Sequence, residues 1–257
     1  SRLTSMKDFS YVKRELAAGK IDIVIGTHAI LNKDIEIPNL GLVIVDEEQH
    51  FGVSHKEKLK QLKSETHILT LTATPIPRTL QMSLTGVRSM SVMATPPVDR
   101  LAVRTFIMPF DPIVIREAIL REKMRGGQVF YVCPRVSDIR SIIDQLNNMV
   151  PEVKVSIAHG QMNVKDLEIT MEEFCRGDYD VLVSTTIIES GLDIPRANTM
   201  IIHRSDMFGL SQLYQLRGRI GRSKLRGYAY LTYSSKSKIT AAAFKRLDAI
   251  HRLDNLG

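Results

Sequence analysis

The 257 residues are 44% hydrophobic and 25% charged, ordinary globular usage that argues against disorder and supplies one large domain or two small ones. No apolar run approaches the roughly 18 residues of a membrane span, and the first ten residues lack a signal peptide's apolar core, so a cytoplasmic protein with no membrane partner is expected. A formal net charge of +7 suits a polyanionic partner, while Cys133 and Cys175, outside any C-x-x-C pair, read as two reduced, buried thiols and not as a metal cage.

In chain order, short β-branched runs alternate with helical periodicity, the pattern of parallel-sheet α/β architecture. Buried strands are predicted over 21–25, 42–45 and 67–71, with helices over 53–63 and 77–84. Thr95-Pro96-Pro97 then breaks the pattern, because consecutive prolines deny ladder donors and disfavour helix; a linker is placed near 94–102. A second unit opens with strand 103–107 and helix 112–125, which Gly126-Gly127 stops. It continues with strand 128–132, helix 136–149, strand 154–157, helix 164–176 and strands 181–184 and 199–203. Helix 209–217 and strand 227–232 complete a doubly wound domain. A last helix, 238–252, carries Ile239, Ala242, Leu247 and Ile250 on one face with basic residues between them.

The apolar run Leu42 to Val45 leads straight into Asp46-Glu47-Glu48-Gln49, placing carboxylates at the carboxyl end of a parallel strand, where open α/β sheets bind ligands. That position suits Mg-nucleotide chemistry, with Asp46 holding magnesium through water and Glu47 orienting or deprotonating an attacking water. Taken alone, the four residues read more readily as a solvated acidic turn than as a nucleotide site. Two further groups give them context: Thr72-Ala73-Thr74-Pro75 after the next apolar strand, and Gln215-Leu216-Arg217-Gly218-Arg219-Ile220-Gly221-Arg222. Hydroxyls at Thr72 and Thr74 can link the acidic pair to neighbouring loops. Arg219 and Arg222, three apart on a helix end, can reach a triphosphate as arginine fingers, with Gly218 and Gly221 leaving room for its approach.

In this order the motifs resemble those of superfamily 2 helicases, whose two RecA-like lobes sandwich ATP. Asp46 to Gln49 matches motif II, Thr72 to Thr74 motif III, and Gln215 to Arg222 motif VI. Thr185-Thr186-Ile187-Ile188-Glu189-Ser190-Gly191-Leu192-Asp193-Ile194-Pro195 matches motif V, Gly26-Thr27-His28 matches motif Ib, and 128–134 stands where motif IV would be. Phe51-Gly52-Val53, Thr74-Pro75-Ile76-Pro77-Arg78-Thr79 and His159-Gly160-Gln161-Met162 resemble the branch that holds the transcription-repair coupling factors and RecG. The Asp-Glu-Glu-Gln motif, the stretch 69–82 and Ala94-Thr95-Pro96-Pro97 stand closer to the coupling factors.

The resemblance implies a fold of two RecA-like lobes: a partial first lobe over 1–95, a second over 96–234, and the start of a translocation helical hairpin over 235–257. It implies ATP and Mg2+ as cofactors, with Asp46, Glu47, Arg219 and Arg222 catalytic. Gln49, Glu189, Gly191, Asp193, Gln215 and Gly218 would lie around the nucleotide, and Thr72 and Thr74 would couple the lobes. Thr27, His28, Arg135, His159, Gly160, Thr185 and Thr186 would track double-stranded DNA, mostly through phosphates. For Thr27 and Thr186 a hydroxyl capping a turn stays open, as does a plain turn at Asp193 and a satisfied buried histidine at His159. Arg217 is expected to face solvent or an acidic partner. Lys224, Arg226, Lys236, Lys238, Lys245, Arg246 and Arg252 form either an electrostatic footprint or a solvated face.

The implied function is ATP-driven translocation on double-stranded DNA in transcription-coupled repair, with RNA polymerase and excision-repair proteins engaged by domains outside these residues. A RecG-like fork remodeller, or a nucleic-acid-binding module without ATPase activity, are the alternatives. No G-x-x-x-x-G-K-[ST] run occurs; Gly19-Lys20 is followed by Ile21. The expectation is therefore a fragment beginning after motifs I and Ia, without meaningful ATPase activity alone and with altered packing before residue 42.

Overall fold

Buried β-branched runs form strands here because a parallel sheet covered on both faces rewards continuous hydrophobicity. The structure is a computed structural model that describes residues 6–32, 34–47, 51–52, 55, 57, 59, 66–72, 89, 91, 93, 95, 101–186, 194–235, 237 and 239–252. The chain divides into two compact units, 1–90 and 91–257.

In the first unit, helix α1 (Met6–Ala17) precedes a short 3-10 turn, His28–Leu31, and strands β1 (Leu42–Asp46) and β2 (His67–Leu71) pair in parallel, Ile44 facing Leu69. Residues 55, 57 and 59 are helical. The helix expected over 77–84 lies outside the described residues. Two expectations fail. Residues 21–25 form no strand: Ile23 and Ile25 are 79% and 92% exposed, and the segment has no ladder partner among the described residues. Leu42, Ile44, Leu69 and Leu71 are also exposed, because β1 and β2 have only each other as described strand neighbours.

The second unit is built on a six-stranded sheet of β3 (Arg104–Pro109), β4 (Gln128–Val132), β5 (Val155–Ala158), β6 (Val181–Ser184), β7 (Ala197–Ile202) and β8 (Tyr228–Tyr233). Their order is β3-β8-β7-β4-β6-β5, every pair parallel. Alternate residues serve opposite faces. Val129, Tyr131, Val183 and Ile201 pack with Ile115 and Ile119 of α2 (Pro112–Met124) and with Ile142 and Leu146 of α3 (Ile139–Met149). Phe130, Val132, Leu182 and Met200 pack on the other side with three helices. These are α4 (Val164–Arg176, through Phe174), α5 (Leu210–Arg217, through Leu213 and Leu216) and α6 (Ala241–Arg252, through Leu247 and Ile250).

Local chemistry sets the helix ends. Asp111 accepts hydrogen bonds from the N–H groups of Ile113 and Val114 with Pro112 at the first turn, and Asn163 caps α4 by accepting from Lys165. Gly177 ends α4 at φ 94°, and a Cβ there would lie 2.6 Å from Nη1 of Arg196. Three details differ from the sequence reading. The helix expected from 136 begins at Ile139 after a 3-10 turn, Val136–Asp138. In α6, Ala243 is buried in place of Ala242, which is exposed. Cys175 is exposed, one position past the core-facing Phe174 and so rotated to solvent, while Cys133 is buried as expected.

Glu122 is a charge inside this framework, 1% exposed. Arg125 donates to its Oε1 through Nε at 3.0 Å and to its Oε2 through Nη2, and the Thr199 hydroxyl also donates to Oε2. On the outer side of β3 the Thr105 carbonyl lies 3.2 Å from Nδ1 of His251, and Pro109 has no N–H to offer. Replacing Glu122 by alanine leaves the Arg125 guanidinium without its carboxylate and should cost on the order of 3 kcal/mol in urea unfolding; a loss below about 1 kcal/mol would show that the pair is solvated.

Candidate nucleotide and nucleic-acid sites

In the first unit the acidic motif leaves β1 at its carboxyl end. Asp46 is exposed and stands in register with Leu71; the Glu47 N–H donates to the Leu71 carbonyl at 3.0 Å, carrying the ladder one residue beyond the strand. Glu47 has φ 52°, a left-handed backbone that a non-glycine residue adopts at a cost of roughly 1–3 kcal/mol and that recurs at functional sites. Thr72 follows β2 directly, so Asp46, Glu47 and Thr72 share one sheet edge. Thr27 caps the turn His28–Leu31, its hydroxyl accepting from the Ala29 N–H at 3.5 Å. Gln49, Thr74, Glu189, Gly191 and Asp193 lie outside the described residues.

In the second unit the predicted residues divide between opposite ends of the sheet. Arg135, His159, Gly160, Thr185 and Thr186 follow the carboxyl ends of β4, β5 and β6, three adjacent strands. The Cys133 N–H donates to the Ser184 carbonyl at 2.9 Å, extending the β4–β6 ladder, and Ala158 pairs with Ser184, which sets His159 beside Thr185. Burial, reinforced by Asp138, pushes the Cys133 thiol up to about 11, so it stays protonated. Arg135 and Gly160 are exposed. Nδ1 of His159 and Oγ of Ser184 are buried without a hydrogen-bond partner among the described residues. Buried polar atoms of this kind suit a ligand that completes them.

The motif around Arg219 lies at the amino end of the sheet. Helix α5 stops at Arg217, and Gly218 to Arg222 form a turn in which Arg219 N–H donates to Leu216 O at 2.9 Å and Arg222 Nε to Gly218 O at 3.3 Å. The two arginines therefore sit past the helix and not on it, with Gly221 at φ 69° between them. A Cβ at Gly221 would lie 2.9 Å from Val103 Cγ2, just before β3, and Ser223 donates to Asn198 at the start of β7. Gln215 and Gly218 stand at this same end, half-buried.

Arg217 does not take the solvent-facing place that was one of its two expectations. It is 6% exposed; Nη1 donates to the Ile250 carbonyl at 3.1 Å and the guanidinium lies over the Tyr214 ring. Carbonyls in a helix's last turn lack internal donors, and a buried cation satisfies one of α6's. Sequence reasoning also passed over His203 and Arg204, which follow an apolar strand as Asp46 does. That shared position was the available signal. Arg204 has φ 52°, and the His203 ring lies 3.3 Å from the Tyr131 hydroxyl. No helix among the described residues is long and apolar enough to cross a membrane.

Two family models match this arrangement, DEAD/DEAH box helicase over residues 2–83 and helicase conserved C-terminal domain over 112–224. The chain thus carries matches to two helicase domains, and its parallel-sheet units are RecA-like helicase domains. Its particular likeness within that class is to the transcription-repair-coupling factors. The protein of that name from Rickettsia prowazekii is 58% identical over all 257 residues, and that from Escherichia coli 52%. These alignments span only 23% and 22% of the relatives' own lengths. RecG, solved on a three-way DNA junction, superposes with a TM-score of 0.73 at 36% identity, covering 98% of this chain and 34% of RecG.

Two outcomes follow. Arg217→Ala should destabilise the chain by about 1.5–3 kcal/mol, the value of a buried charged hydrogen bond, and should raise amide exchange in α6 above that in α2. Burial first, then Arg204, lowers the His203 pKa from 6.5, against a smaller upward pull from Asp138 and Asp206. The unfolded chain then binds the extra proton, so this contribution is intact above pH 6.5 and is lost as pH falls below that value. Replacing His203 by phenylalanine should flatten stability against pH in that window.

Proposed function

We propose that this chain is the motor portion of an ATP-driven double-stranded DNA translocase acting in transcription-coupled repair. The carrying observation is the segregation of candidate ligand groups in a chain that matches coupling factors along its whole length. Carboxylates stand at one strand end in the first unit; in the second, an arginine turn occupies the amino end of the sheet and a polar edge the carboxyl end.

The residues suit a magnesium-bound triphosphate. Asp46 is exposed where a hydrated cation can reach it, and Glu47 is held beside it by a strained backbone that fixes its direction. Bound ATP would supply the free energy of phosphoryl transfer. In this reading Asp46 holds Mg2+ through water, Glu47 positions and deprotonates the attacking water, and Arg219 and Arg222 meet the charge that develops on the phosphates. Gln49, Glu189, Gly191, Asp193, Gln215 and Gly218 border the nucleotide, while Thr72 and Thr74 carry its state toward the DNA. Thr27, His28, Arg135, His159, Gly160, Thr185 and Thr186 hold the duplex backbone. RNA polymerase and excision-repair proteins would be engaged by other parts of the longer protein. Similarity of 58% to a coupling factor against 36% to RecG favours this reading over fork remodelling.

The sequence holds no phosphate-gripping G-x-x-x-x-G-K-[ST] run, so the 257 residues alone should not hydrolyse ATP above background. Fused to the upstream segment of a coupling factor, the chain should show DNA-stimulated hydrolysis, and Glu47→Gln should lower kcat by about 10²–10⁴-fold with little change in KM. Unchanged turnover in that variant would remove Glu47 from the chemistry. Robust DNA binding by the fused protein without any turnover would instead favour the pure binding module.

A further inference from the structure

A cavity of about 250 Å³ opens at the carboxyl edge of the second sheet, apart from the residues assigned above. Its lining includes two rings, Phe110 and His203, the polar residues Gln145, Arg204, Thr232 and Ser234, and the end of β8 at Tyr233, whose side chain is buried in the core on the other face of the sheet. The topology explains its position. Strand β4 leads into α3 on one face of the sheet, while its neighbour β7 leads into α5 on the other. Where adjacent strands send their connections to opposite faces, the loops part and leave a crevice at the strand ends, the place where open α/β sheets bind ligands.

The walls are fixed before any ligand arrives. His203 N–H donates to Val132 O and Phe110 N–H to Tyr233 O, both at 2.8 Å; the Ser205 hydroxyl holds the Thr232 carbonyl at 2.9 Å, and the Thr232 hydroxyl the Ile202 carbonyl at 3.2 Å. Phe110 meets His203 edge to face, with centroids 5.6 Å apart, so the two rings form a corner. The Tyr131 phenol is kept protonated by burial and lies 3.3 Å from Nδ1 of His203. Tyr131 and His203 share a hydrogen bond whose direction is set by the imidazole tautomer. Arg204 is held at φ 52°, and only its Nε and Nη2 approach the Asp206 carboxylate, at 3.4 and 3.5 Å. A left-handed arginine beside a crevice is the kind of backbone outlier that points to a function.

We propose that this crevice takes one nucleoside monophosphate unit, its base against the Phe110 and His203 rings and its phosphate on Arg204. The volume lies below the roughly 300–1,000 Å³ of drug-sized sites, so one planar ring system is what it admits. Aromatic side chains stack on any base through its π-face, an amide such as Gln145 can pair with a base edge, and a guanidinium matches phosphate oxygens. The unit is either a free mononucleotide or an unstacked nucleotide of a strand running along the β4–β6–β5 edge. Neither ATP turnover nor translocation is required, so the inference stands apart from the proposed motor function.

The test uses the whole 257-residue chain, read by the side-chain ¹⁵N resonances of its histidines, with deoxyadenosine 5′-monophosphate, deoxyadenosine and inorganic phosphate as probes. A 5′-phosphorylated single strand ending in 2-aminopurine is titrated in parallel, read by its fluorescence. The monophosphate should move the His203 resonances with saturation, and deoxyadenosine or phosphate alone should bind about tenfold more weakly. Arg204→Gly, which accepts the left-handed backbone and so keeps the fold, should weaken the monophosphate by a similar factor; Gln145→Ala should weaken it less. Quenching of the strand without a response to free monophosphate would support the proposal and assign the strand as the source; responses to both would support it with either source. His203 resonances unmoved by every probe would overturn it. So would full monophosphate affinity in an Arg204→Gly variant whose thermal unfolding matches the parent, or phosphate alone binding as well as the monophosphate.

Discussion

The second unit depends on one constraint: hydrogen bonds between parallel strands require every strand to run the same way. The ladder from β3 through β8, β7, β4 and β6 to β5 thereby delivers six carboxyl ends to one edge and six amino ends to the other. Side chains far apart in the chain, such as Arg135, His159 and Thr185, become neighbours without any loop having to bring them together. The same rule sends the turn of Arg219 and Arg222 to the far end, since α5 must run back along the sheet before β8 can start. Eight helical residues rise about 12 Å, enough to keep the arginine turn well apart from the polar residues at the carboxyl edge.

Polar groups inside the fold reinforce that geometry. Glu122 ties the end of α2 to β7 through Arg125 and Thr199, and Arg217 ties the end of α5 to the last turn of α6. Each is an ionised side chain withdrawn from water, tolerable only because named donors or acceptors meet it. Helix α6 thus belongs to the second unit's core through Leu247 and Ile250 and to the arginine motif through one hydrogen bond. A shift of the turn that carries Arg219 would be felt two residues away, at the contact that seats α6.

Much of this was legible in the residues. Strands 128–132 and 181–184 and helix 164–176 were readable to their ends, because their apolar runs are buried on both faces or end at Gly177. The motifs at Asp46 and Arg219 were legible for a different reason: charged residues in fixed order after strands or helices have few structural uses. What failed was whatever depends on neighbours in space. The run 21–25 looks like a strand, but a strand exists only beside another, and Ile25 has none among the described residues. The burial of Arg217 was not legible because periodicity says nothing of the α6 carbonyl waiting for it. Ala242 and Ala243 are identical in chemistry and differ only in phase. His203 and Arg204 were overlooked because a crevice made where two connections diverge has no linear signature.

The outermost strand β3 ends on Pro109, and His251 already stands against its Thr105 carbonyl. A passing polypeptide therefore finds neither a continuous row of donors nor a bare row of acceptors along that margin. Copies of this unit crowded together would not zip up through that margin.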